Sequence, residues 1–222
     1  MSLLIAGIDS LDYKGKERLD KLLQIVSPNN VIINGTLAEF RDVFSLYSRL
    51  ERSLKNSLGK EIKNNKKFSK LYEFNKISSY VATSIVDHIL NSNNKIMFTN
   101  APNDYNNASC LIKDKYYFDS DINNIVGVAN TMLDKLNAHK NNLRYGQINS
   151  VVLNKKPKIK INLSPKDLYL IKTTISNTHN SFDSTLYLVD QVALFEDENN
   201  KLINSLANFN PHKLSLEDLD SY

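Results

Sequence analysis

Leu3-Leu4-Ile5-Ala6-Gly7-Ile8-Asp9, then Leu19, Leu22, Leu23 and Val26 at helical spacing, then Val31-Ile32-Ile33-Asn34-Gly35-Thr36: these residues decide the fold class. The first run is short, apolar and continuous, as a strand buried on both faces must be. The four spaced residues place one apolar stripe on a helix. The turn Ser27-Pro28-Asn29-Asn30 stops that helix, and three β-branched residues open a second strand. A strand, a helix and a strand in this order make a β-α-β unit, whose parallel strands require a sheet covered on both faces. Ligands of such sheets bind at the carboxyl ends of the strands, where Asp9 and Gly35 stand. The expected fold is α/β, with a mostly parallel central sheet covered by helices.

Working outward, Phe40, Val43, Phe44, Tyr47, Leu50, Leu54 and Leu58 mark one face of a long helix that Gly59 ends. Ile77, Tyr80, Val81, Ile85 and Ile89 mark a second. The stretch 60–70 between them is too polar for a core, so 40–92 reads as a helical insertion. Residues 95–99 read as a third strand closing in the loop Asn100-Ala101-Pro102-Asn103-Asp104, and 122–128 form another apolar stretch before a helix carrying Met132, Leu133 and Leu136. In 157–163, Ile159, Ile161 and Leu163 alternate with Lys158, Lys160 and Asn162, the pattern of a strand with one wet face, and the lysines suit an edge. Residues 168–175 read as a strand. Residues 182–195 fit a helix or a hairpin, and 201–209 have helical spacing through Leu202, Ile203, Leu206 and Phe209. Residues 215–222 read as a flexible acidic tail.

The chain has 222 residues, enough for one large domain or two small ones, and without a repeat or long linker it reads as a single domain 1–222. Its one cysteine, Cys110, permits no intrachain disulfide and no cysteine-based metal site, and it has no nearby base to make it a thiolate nucleophile. The apolar run at Leu3 is too short for a signal peptide or a span, and no later run reaches membrane length. A cytoplasmic protein with no membrane contact is therefore expected. The net charge of +4 is mild but unevenly spread. Arg52, Lys55, Lys60, Lys63, Lys66, Lys67, Lys70 and Lys76 face only Glu61 and Glu73, while residues 196–222 hold six acids against two lysines. Such segments are either solvated faces or partner-binding patches.

The order of residues at the strand ends resembles the calcineurin-like metallophosphoesterases. Their first motif, Asp-x-His, corresponds to Asp9-Ser10-Leu11, their Gly-Asp to Gly35-Thr36, and their Gly-Asn-His-Asp to Ala101-Pro102-Asn103-Asp104. The segment Ile122-Asn123-Asn124-Ile125-Val126-Gly127-Val128 is similar to the strand that follows the third motif. The resemblance implies a metallophosphoesterase-like sandwich. Another α/β family, such as the TraB-like group, would open on the same strand-helix-strand unit.

A two-metal hydrolase needs a carboxylate bridging its cations. Thr36 stands in that place, Leu11 stands where a ligand histidine belongs, and no Gly-His-x-His occurs. Of His88, His139, His179 and His212, none pairs with another at ligand spacing, and His179 is the one read as able to reach the strand ends. If the chain is active, the resemblance implies Asp9, Asn103, Asp104 and His179 as its catalytic set, with a divalent metal such as manganese. Each also has a plain reading: Asp9 as a helix cap, Asn103 and Asp104 as turn residues, His179 as a polar loop residue.

No phosphate-cradling Gly-rich loop and no Gly-x-Ser-x-Gly is present. Phe68, Tyr72 and Phe74 are interleaved with the lysines of the basic segment, as single-strand binding requires, although the same spacing with Leu71 gives an ordinary inner helix face. Three functions stay open. The first is a non-catalytic binding or assembly subunit with no cofactor, as the family's inactive relatives in replicative polymerases and retromer are, taking a protein partner through Lys60, Lys63, Lys66 and Lys67. The second is an atypical metal-dependent phosphoesterase or nuclease. The third is a nucleic-acid-associated α/β protein using the segment from Arg52 to Lys76.

Overall fold

The computed structural model describes residues 3–9, 12, 14–37, 40, 76, 79–90, 92, 94–106, 163–179, 184–195 and 200–221, with 101–106 described by their backbone alone. The expectations for residues 41–75 and 107–162 lie outside them. These include the long first helix, most of the basic segment with Lys60, Lys63, Lys66 and Lys67, Cys110, the stretch 122–128, His139, and all but Leu163 of the strand expected at 157–163.

In chain order the elements are β1 (Leu4–Ile8), α1 (Gly15–Val26), β2 (Asn30–Ile33), α2 (Tyr80–Leu90), β3 (Lys95–Phe98), β4 (Ala101–Asn106), α3 (Pro165–Thr178), β5 (Thr185–Asp190), α4 (Gln191–Phe195), α5 (Lys201–Ser205) and β6 (His212–Ser215). Two 3-10 segments, Ala207–Phe209 and Leu216–Ser221, flank β6. The sheet order is β4-β3-β2-β5-β1-β6, with β3, β2, β5, β1 and β6 all parallel and β4 antiparallel at one edge. The protein is thus α/β, its parallel sheet flanked by helices.

Side chains alternate between the faces along each strand. On one face Ala6, Val31, Ile33, Ile96, Phe98, Leu186 and Leu188 pack with α1 and α2. On the other, Ile5, Ile32, Met97, Tyr187 and Val189 pack with α3, α4 and α5. Gly7 lets α4 sit close to the sheet, because a Cβ there would lie 3.0 Å from the Phe195 ring and 3.2 Å from the Gln191 backbone.

The two faces follow from the connections. From β1 the chain crosses β5 to reach β2, and from β5 it crosses β1 in the opposite direction to reach β6. Crossovers of one hand that travel in opposite directions must pass on opposite faces, as α1 and the α4–α5 pair do. The direction reverses between β2 and β5, and the switch point of the sheet is there.

Four readings of the sequence are corrected. Residues 168–175 belong to the helix α3, because Ser164 and Asp167 form a reciprocal capping box and Pro165 opens the first turn. Of 182–195, the described residues 184–195 form neither one helix nor a hairpin: β5 is the strand between β1 and β2, and α4 follows it directly. The range 40–92 is not wholly an insertion, since Phe40 is buried edge-on against Phe98, and Tyr80, Ile85, Val86 and Ile89 of α2 are core. The segment expected to be a flexible tail is folded onto the protein, with Ser215 ending β6 and Leu216 and Leu219 buried.

Candidate functional site

At the carboxyl ends of the parallel strands, Ile8 pairs with Asp190, so Asp190 ends β5 beside the point where Asp9 leaves β1. Both are exposed. Asn34 follows β2 on the other side of β5. Its side-chain oxygen accepts from the Thr99 hydroxyl at 2.8 Å, and that hydroxyl in turn accepts from the Gly35 N–H at 3.2 Å. Gly35 has φ of 123°, which an L side chain rarely adopts, so the turn after β2 depends on glycine. Asp190 also caps α4, accepting from the Ala193 N–H at 3.4 Å.

Asp9 and Asp12 are each held by a side chain from a neighbouring helix. The Tyr80 hydroxyl donates to the Asp9 carbonyl at 2.9 Å, and burial, with the nearby carboxylates of Asp12 and Asp9, pushes that phenol well above its usual range. Asp12 accepts from Arg18 Nη1 at 2.5 Å, while Arg18 Nε and Nη2 meet the two oxygens of Asp220 at 2.9 and 2.6 Å. Lys14 Nζ adds a contact to Asp220 at 3.2 Å. These bonds hold the Asp220 carboxyl well below the ordinary carboxylate range, the hydrogen bond from Arg18 contributing most. The Arg18 side chain is only 13% exposed, so its charge is spent within the protein.

The four residues implied as a catalytic set do not meet. Asp9 follows the last residue of β1, whereas Asn103 and Asp104 lie within β4. The chain turns back at once after Thr99 and Asn100, because Phe98 pairs with Ala101 and Ile96 with Asn106. Thr99 and Asn100 stay at the carboxyl edge, and the two residues expected in its loop are carried down an antiparallel strand. Four strand spacings separate β1 from β4, roughly 19 Å. His179 is at the opposite, amino ends of the parallel strands. It follows α3, which returns to the amino ends of the strands, and its Nδ1 is 3.1 Å from the Thr185 hydroxyl at the start of β5. Its ring is edge-on to Phe209 at 5.9 Å. Along β5, about 17–20 Å of strand lies between His179 and Asp9.

A pair of divalent cations needs several ligands converging within coordination distance, and this dispersion does not fit one. Among the described residues no group of three or more His, Cys, Asp and Glu is placed to hold a metal. His88 Nε2 is bonded to the Asn94 amide at 2.9 Å, and His212 is exposed at the start of β6.

Sequence reasoning missed Asp190, Arg18 and Asp220. Asp190 becomes visible once Leu186-Tyr187-Leu188-Val189 is read as a buried strand, since it then ends that strand where Asp9 follows β1. The Arg18–Asp220 pair spans 202 positions and carries no local signal.

A scan of protein-family models finds no match to this chain. Comparisons with curated proteins and with solved structures find none either. Among the described residues, no helix is long and apolar enough to cross a membrane.

Proposed function

We propose that this chain is a non-catalytic α/β protein that works by binding, as an assembly subunit of the metallophosphoesterase-like group. The observation that supports this reading is the dispersion of Asp9, Asn103, Asp104 and His179 over both ends of the parallel strands and four strand spacings. The family part of the proposal rests on the order of the first two motifs, at Asp9 and at Gly35-Thr36, since the third is on β4. The partner it favours is a protein with an acidic face, met by Lys60, Lys63, Lys66 and Lys67.

Two measurements on the full chain test this. Hydrolysis of bis(p-nitrophenyl) phosphate with manganese should stay at the buffer rate; turnover that disappears in Asp9→Ala would overturn the non-catalytic reading. Replacing the four lysines with Ser should remove a co-purifying protein while the melting temperature stays within a few degrees, because surface substitutions usually shift stability by less than about 0.5 kcal/mol each. Undiminished recovery would exclude the lysines. Recovery of nuclease-sensitive material instead would favour nucleic acid as the partner.

A further inference from the structure

The last described segment, Leu216–Ser221, enters the core through Leu216 and Leu219 alone, while Glu217, Asp218, Asp220 and Ser221 are exposed. Its local bonds stay close to β6: Asp218 accepts from the Ser215 N–H at 2.9 Å, and the Ser215 hydroxyl accepts from the Glu217 N–H at 3.3 Å. Among the described residues, its distant polar bonds end on α1 and on Lys14 just before it. Asp220 takes Arg18 side-on and Lys14, and the Leu219 carbonyl accepts from Lys21 Nζ at 3.1 Å. Arg18 is held on its other side by Asp12. A guanidinium fixed in this way presents a planar fork that fits any incoming carboxylate.

We propose that Leu216–Ser221 is a releasable strap whose Asp220 fills a carboxylate-recognition site at Arg18. An acidic peptide of the same chemistry, two leucines three positions apart followed by aspartate, competes for that site. The occupant is a peptide rather than a nucleic acid for two reasons. The seat takes two leucine side chains, and the bases Lys14, Lys16, Arg18 and Lys21 are offset nearby by Asp12, Glu17 and Asp20. A polyanion gains little from so balanced a surface.

The probe is a labelled peptide copying residues 214–222, titrated into the full-length chain. In the wild type the strap occupies the site, and apparent affinity is reduced by the fraction of molecules that are closed. Asp220→Asn should therefore bind the peptide at least tenfold more tightly than the wild type. Arg18→Lys keeps the charge but loses the side-on fork, and should bind at least tenfold more weakly than Asp220→Asn. In hydrogen exchange, the amides of residues 216–219 should exchange at least tenfold faster in Asp220→Asn, with α1 and β5 unchanged. Equal peptide affinity in all three proteins would overturn the proposal. So would strap amides that exchange only as fast as those of β5 in every variant, or displacement of the peptide by an equimolar oligonucleotide.

Discussion

Tyr187 and Gly15 show how single positions are decided by competing magnitudes. The Tyr187 side chain is fully buried among the residues facing α3, α4 and α5, and its hydroxyl has no hydrogen-bond partner among the described residues. Burial pushes that phenol far above its ordinary range, so it stays protonated at any working pH. An unpaired buried hydroxyl costs about 1–3 kcal/mol of desolvation, whereas removing it leaves a gap smaller than a methyl group. Tyr187→Phe is therefore expected to keep or raise the unfolding free energy, by up to about 1 kcal/mol in urea titration. A loss of more than about 1 kcal/mol would mean that the hydroxyl is bonded after all. Gly15 poses the opposite case. Alanine is favoured over glycine inside a helix by about 1 kcal/mol, but a Cβ here would stand 2.6 Å from the Tyr80 ring. That ring is 1% exposed and tethered through its hydroxyl to the Asp9 carbonyl, so it cannot swing aside cheaply. Overpacking of this kind costs about 1–3 kcal/mol, and Gly15→Ala should lower the melting temperature. In the Tyr80→Ala background the same substitution should cost nothing.

Elements differ in how openly the sequence declares them. β1, α1 and β2 were legible because continuous apolar runs and a clean helical stripe leave no second reading. α3 was not, since Leu168, Leu170, Ile171 and Ile175 form a short apolar run that fits a strand as well as one face of a helix. The information lay one step upstream, in Ser164-Pro165-Lys166-Asp167. There the Ser164 hydroxyl accepts from the Asp167 N–H at 3.2 Å, and the Asp167 carboxylate accepts from the Ser164 N–H at 3.1 Å. Ser164→Ala should cost about 1 kcal/mol and fray the first turn of α3, visible as faster amide exchange at its amino end. β5 was hidden for a different reason. Its run Thr185–Asp190 leads straight into α4 with no intervening turn residues, so strand and helix merge into one apolar stretch. At the strand ends, Asp9 and Asn34 were readable from position. The location of Asn103, Asp104 and His179 depended on a two-residue turn and on the direction of α3, and neither is encoded near those residues.

Across the whole molecule, charge and edges set how the protein responds to its surroundings. Asp220 has a folded pKa below its unfolded one, so the stability it adds is present above the usual carboxylate range and disappears as pH falls through the lowered folded value. The strap amides should thus remain protected at pH 4 and lose protection only in stronger acid. Asp220→Asn should show no such acid step. The outer edge of β6 is poorly suited to pairing with another chain. His212 donates inward to the Leu3 carbonyl, which by alternation turns Lys213 outward; Pro211 precedes the strand without an N–H, and Asp218 already takes the Ser215 N–H. The order of the strands reaches furthest of all. β5 lies between β1 and β2, and Leu4 pairs with Leu186, so the two strands made first are separated by one made almost last. At about 5–20 residues per second, a ribosome needs roughly 8–30 s to proceed from β2 to β5. Throughout that interval β1 and β2 have apolar flanks and no neighbour between them. A nascent chain arrested after residue 179 should be digested by protease along its whole length, β1 and α1 included. The amino-terminal half is therefore expected to need a holding chaperone until β5 emerges.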